Sequence, residues 1–105
     1  MISEFKAFLE IIDRATQKRE ANSLEQRRSR VLAGVYRVGE EGRSSAGLTA
    51  LISTGFNKAE ISDGIELGLE KGWLIDASSS DGMAWVLSPR GQLYIEGLLE
   101  EGRNM

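Results

Sequence analysis

The chain contains no cysteine and no histidine. Without cysteine it has neither a disulfide framework nor thiolate ligands for a metal. Without histidine it lacks the common zinc ligand and the commonest general base. Serines are plentiful, but a serine nucleophile needs a base beside it and none is visible, so no enzyme chemistry is expected. No apolar run approaches the roughly 20 residues of a membrane span. Residues 1–16 carry Glu4, Glu10 and Asp13 with no basic n-region, so no signal peptide is expected there. These absences point to a cytoplasmic chain that uses no cofactor.

The chain has 105 residues, 41% of them hydrophobic. That fits one domain over 1–105, burying about 65% of the surface its unfolded chain exposes. The net charge of −3 is unevenly spread: residues 1–13 sum to −2, residues 14–43 to +4 (eight basic, four acidic) and residues 44–105 to −5 (four basic, nine acidic).

Residues 48–75 organise the rest. Leu48, Leu51 and Ile52 form a short periodic segment, Gly55 a turn, and Ile61, Ile65 and Leu69 a longer segment that stops at Gly72 before Trp73, Leu74 and Ile75. This is the layout of a helix-turn-helix. Asn57 is placed to cap the second helix, with Glu60 three residues on to complete a capping box, so the helix starts at Lys58. At about 100° per residue, Ile61, Ile65, Gly68 and Leu69 fall on one side, with Gly64 at its edge, and that side is expected to face the core. Ala59, Asp63, Glu66 and Glu70 lie opposite. Gly64 and Gly68 each cost a helix roughly 1 kcal/mol relative to alanine, which a close helix crossing would explain.

Upstream, Ile2, Phe5, Phe8, Leu9, Ile12 and Ala15 recur at helical spacing, with Ser3 as a cap, over residues 1–20. This amphipathic stripe packs on its own domain or forms a dimer interface. Asn22 with Glu25, or Ser23 with Gln26, opens a second helix through Leu24, Val31, Leu32, Val35, Tyr36 and Val38 to about Gly39. It carries Arg27, Arg28, Arg30 and Arg37. Residues 40–47 read as a loop, with Ser44 or Ser45 capping the short helix after it. Downstream, 73–77 and 83–87 are short strand-like runs around Ser78, Ser79, Ser80, Asp81 and Gly82, the pattern of a β-hairpin. Ser88 then caps a last helix with Pro89 in its first position and Leu93, Tyr94, Leu98 and Leu99 along it to about Glu101, where Gly102 ends it.

Residues 22–101 resemble a winged helix-turn-helix core with its wing at 73–87, making the class mostly α with a small β-hairpin (α+β), flanked by an extra N-terminal and a C-terminal helix. The most specific stretches are Leu69, Glu70, Lys71, Gly72, Trp73, Leu74, Ile75 and Leu87, Ser88, Pro89, Arg90, Gly91. Both are similar to runs in multiple-antibiotic-resistance-type and phenolic-acid-decarboxylase-type bacterial regulators. The resemblance implies a dimeric repressor that sets its recognition helix in the major groove and its wing over the adjacent backbone, with terminal helices making the dimer.

Carried over residue by residue, the DNA-contacting set would be Arg27, Arg28, Arg30, Arg43, Lys58 and Arg90, assisted by Ser45 and Ser62. Against it, the outward face of the recognition-type helix offers Asp63, Glu66 and Glu70, and the wing holds two aspartates and no cation, whereas duplex binding depends on cations that neutralise phosphate. Two expectations therefore stand. One is a small homodimeric DNA-binding regulator joined through Phe5, Phe8 and Tyr94. The other is a winged-helix interaction module, with Phe5, Phe8, Asp63, Glu66, Glu70 and Tyr94 as its partner surface, in which the acidic helix face meets a basic partner surface and the arginine helix an acidic one or a second copy of itself. Magnesium on the acidic helix face and a nucleotide in the glycine-rich stretch 39–47 are both disfavoured by spacing, since neither has converging loop ligands or a preceding strand.

Overall fold

The computed structural model describes residues 2–104, with side chains from Glu4 onward. The expected roles of the Ile2 and Ser3 side chains lie outside that range. The chain is mostly helical with a small antiparallel sheet. Its elements run α1 (Ile2–Lys18), α2 (Ser23–Val38), β1 (Ala46–Gly47), α3 (Leu48–Ser53), α4 (Lys58–Glu70), β2 (Leu74–Asp76), β3 (Ala84–Leu87) and α5 (Pro89–Arg103).

Helix α2 is the centre of the molecule. It packs against α1, α3, α4, α5 and the sheet, and Val31 through Tyr36 are all buried. Its start is fixed by Asn22, whose Oδ1 accepts the Glu25 backbone N–H at 2.9 Å. On one side α4 crosses it closely: a Cβ on Gly64 would stand 2.6 Å from Val31 Cβ, which accounts for a glycine in a helix interior. On the other side α1 lays Phe8, Leu9, Ile12 and Ala15 into the core.

The ends of α4 follow its sequence signals. Glu60 N–H donates to Asn57 Oδ1 at 2.8 Å and Asn57 N–H to Glu60 Oε1 at 3.2 Å, a complete capping box. At the far end Gly72 has φ +75°. Trp73 N–H reaches back to the Gly68 carbonyl and Gly72 N–H to that of Leu69, so the helix closes in a Schellman motif that needs the left-handed residue.

The hairpin pairs Leu74 with Leu87, Ile75 with Val86 and Asp76 with Trp85. Its tip closes through reciprocal backbone hydrogen bonds between Ser79 and Gly82. Ser88 joins hairpin to helix: its hydroxyl donates to the Gly72 carbonyl at 2.6 Å and accepts the Gly91 N–H at 3.1 Å.

Several expectations change. The 40–47 loop contains a strand, β1, which pairs with β3 through Ala46–Trp85 and Gly47–Ala84 and makes a three-stranded sheet of order β1-β3-β2. Neither Ser44 nor Ser45 caps α3, because β1 intervenes and Gly47 holds the cap position without a side-chain bond. Gly102 does not end α5, which runs to Arg103; it sits where α5 meets α1, and a Cβ there would collide with the Ile11 carbonyl. Leu69 does not face the core: it is 41% exposed. Leu24 and Leu93 are also largely exposed, so the periodic leucines overstate the buried face of three helices.

Candidate functional site

Leu69 opens onto a cleft between α4 and the hairpin. The cleft has a volume of about 420 Å³ and is lined on the α4 side by Lys58, Ile61, Ser62, Ile65, Glu66 and Leu69. Leu48 from α3 and Asp76, Met83 and Trp85 from the hairpin complete it. Its floor is the edge of the core, since Ile61, Ile65 and Trp85 are buried, while Leu69 and Met83 remain open to solvent. Carboxylates stand on both flanks, Glu66 on the helix and Asp76 on the hairpin. Asp76 accepts the Ser78 backbone N–H at 2.8 Å, and bonding from Ser78 holds its carboxyl below the usual carboxylate range. It is therefore ionised at neutral pH. Lys58, at the start of α4, is the one cation among the lining residues.

The other side of α4 faces α2. Asp63, Glu66 and Glu70 line a shallow hollow together with Leu24, Arg28 and Leu67, and a neighbouring one brings Arg27 and Arg30 beside Asn57, Glu60 and Asp63. The arginines expected to meet DNA phosphates thus lie next to the acidic helix face. Arg30 also approaches Asp13, with Nε 3.5 Å from Oδ1, yet that Nε makes no hydrogen bond. Burial, only partly offset by Arg30 and reinforced by Glu10, pushes the Asp13 carboxyl up. Arg43 sits on the loop before β1, 3.8 Å from Glu41. Ser45 lies in a separate hollow between α3 and the hairpin tip, with Thr49, Asp81 and Gly82. Arg90 is exposed in the first turn of α5, and Ser62 is exposed on α4. The DNA-contacting set therefore spreads over α2, the 40–45 loop, α4 and α5 and is interrupted by acids.

The aromatic residues expected at a dimer interface are engaged within the chain. Phe8 is 7% exposed, stacks on Tyr36 with ring centroids 6.4 Å apart and has the Arg37 guanidinium over its face at 5.5 Å. Phe5 packs on Phe8 and edge-on against Phe56. Tyr94 stacks on Trp73 at 4.4 Å and shares a hydrogen bond with Ser29 at 2.9 Å. Both rings thus make contacts within the chain, Phe8 between α1 and α2 and Tyr94, half-buried on α5, against Trp73 and Ser29. Arg19 and Glu101 fasten α1 to α5 through two hydrogen bonds, at 2.8 and 3.1 Å.

The cleft itself was hidden in the sequence. Its residues come from α3, α4, β2, β3 and the turn before β3, and Leu69 reads as ordinary core. The available signal was the excess width of the apolar stripe on α4. Among the described residues, no three carboxylates converge to hold a metal ion, and no helix is long and apolar enough to cross a membrane. No protein-family model, curated protein or solved structure matches the chain.

Proposed function

We propose that the chain is a winged helix-turn-helix module that binds another protein through the α4–hairpin surface, not duplex DNA. The fold half of this reading is supported by the order α2, β1, α3, α4, β2, β3 with sheet order β1-β3-β2. That order puts a two-helix turn ahead of a hairpin wing, with α1 and α5 as additions. The functional half rests on one observation: the surface where a winged helix would meet DNA is an apolar cleft flanked by Glu66 and Asp76. Apolar side chains gain nothing from phosphates, and carboxylates repel them. The role is one of binding.

The test is fluorescence anisotropy of a random-sequence duplex titrated with the protein at low and at physiological salt. No binding is expected at either. A Kd in the non-specific range of about 10⁻⁴ to 10⁻⁶ M, weakening steeply with salt, overturns the reading in favour of a DNA-binding regulator. The exposed Arg27, beside Arg30 and Asn57, favours that second reading, under which Arg27→Ala with Arg28→Ala removes the binding.

A further inference from the structure

We infer that the occupant of the α4–hairpin cleft is a basic amphipathic helix of a partner protein, laid along α4 with its apolar stripe in the cleft and its lysines or arginines against the flanking acids. This deepens the interaction reading above and rests on it.

Length, lining and charge carry the inference. Between Ile61 and Leu69, α4 rises about 12 Å, the span of two turns of a partner helix, so anchors at i, i+3 or i+4, and i+7 would fall along it. The lining is continuous from Leu48 through Ile65 and Leu69 to Met83 and Trp85. Leu69 and Met83 stand 41% and 56% exposed, large apolar groups left in water by the isolated chain. Charge then selects the partner. Glu66 and Asp76 stand on opposite flanks of the cleft, and Lys58 is its one lining cation, at one end; Asp63 and Glu70 lie on the side of α4 toward α2, beside Arg28. A helix with cations on both sides of its stripe meets a carboxylate on each flank. A second copy placed on the cleft by two-fold symmetry would set Glu66 and Glu70 near their own images, which disfavours self-association there.

The test uses the full chain and three fluorescein-labelled synthetic peptides of 18 residues. The first carries leucines at helical spacing with lysines and arginines elsewhere, the second has the same composition in scrambled order, and the third replaces every cation by glutamate. The stripe-bearing cationic peptide is expected to bind, more weakly as salt rises, and the other two at least tenfold more weakly. Leu69→Ser and, separately, Glu66→Lys are expected to weaken that binding at least tenfold. Both positions are exposed, and far-UV circular dichroism of each variant checks that the fold is kept. Equal binding of the scrambled peptide reduces the effect to bulk charge and overturns the inference, as does binding that neither variant changes. Preference for the glutamate peptide overturns the charge argument. The random duplex separates the levels of failure. If neither duplex nor cationic peptide binds, the basic-helix occupant is wrong while the interaction reading stands. If the duplex binds and displaces the peptide, both fall.

Discussion

Replacing Gly64 and Gly97 by alanine, one at a time, separates close packing from helix propensity. Both glycines lie inside helices, so in each case alanine removes a propensity penalty of about 1 kcal/mol. They differ in what the new methyl meets. A Cβ on Gly97 has no neighbouring heavy atom within 4 Å, so G97A should stabilise the fold by about 0.5–1 kcal/mol. A Cβ on Gly64 would stand 2.6 Å from Val31 Cβ, 2.8 Å from its Cγ1 and 2.9 Å from its Cγ2. Val31 is 1% exposed and β-branched, so its Cβ moves only with the α2 backbone and no rotamer withdraws both methyls. Relief requires α2 and α4 to separate, and overpacking of this kind costs about 1–3 kcal/mol. Three fixed atoms place the cost in the upper part of that range, leaving G64A less stable by about 1–2 kcal/mol after the propensity gain. For a domain of this size each 1 kcal/mol moves Tm by about 4–8 °C. Urea unfolding followed by far-UV circular dichroism measures both variants, and an unchanged m-value shows that the same surface is exposed. A G64A protein at or above wild-type stability refutes the close-crossing account of this glycine.

Three other outcomes are expected. Asn57→Ala removes one arm of the α4 capping box and should lower stability by about 1 kcal/mol, measurable as a urea midpoint shift that Glu60→Gln, which keeps an acceptor, does not reproduce in full. Glu101 is held below its ordinary value near 4.5, first by its hydrogen bonds from Arg19. Its contribution is present above that value and disappears as pH falls through the lower, folded one. Glu101→Gln should therefore be slightly less stable than wild type at pH 7, with the gap closing as pH falls through the folded value; a gap that does not change with pH would show that the ion pair is not its source, and exposure of both partners keeps the effect small. Asp13 has the opposite sign, because burial raises its carboxyl above the ordinary 3.8. The ionised form then costs stability at neutral pH, and the cost vanishes as the group protonates. Asp13→Asn should match or exceed wild type at pH 7 and lose any advantage by pH 3, whereas a marked loss at pH 7 would mean that the Arg30 contact outweighs the burial.

The fold was legible wherever a local signal acts over three or four residues. Asn57 with Glu60, Ser88 with Pro89, and Gly72 after a periodic run each name a helix end through one backbone bond, and each stands where its chemistry requires. Strand β1 could not be read this way. It has two residues, and it is a strand only because Ala46 and Gly47 meet Trp85 and Ala84, nearly forty residues along the chain. The same limit applies to Gly102. Next to a polar tail it resembles a helix stop, and only the passage of α1 beside it, with the Ile11 carbonyl where a Cβ would be, makes it an interior crossing residue.

The cleft was missed because a periodic leucine carries no mark of whether anything covers it. Leu69 lies about 80° around the helix from Ile61 at 100° per residue, whereas Gly64 lies about 60° the other way. Treating Ile61, Ile65 and Leu69 as the centre of the buried face put Gly64 at its margin. The structure turns α4 toward α2, so that Gly64 and Gly68 are buried and Leu69 is left beside the hairpin. The two glycines let α4 pack closely on this side, Gly64 against Val31 of α2 and Gly68 against Leu74 of β2 and Leu32 of α2. What looked like a surplus of core on α4 is thus the open wall of a cleft, with Glu66 and Asp76 on its flanks. Shortening the side chain at Leu69 should accordingly cost the fold little, within the ±0.5 kcal/mol typical of surface positions, while changing what the cleft can bind.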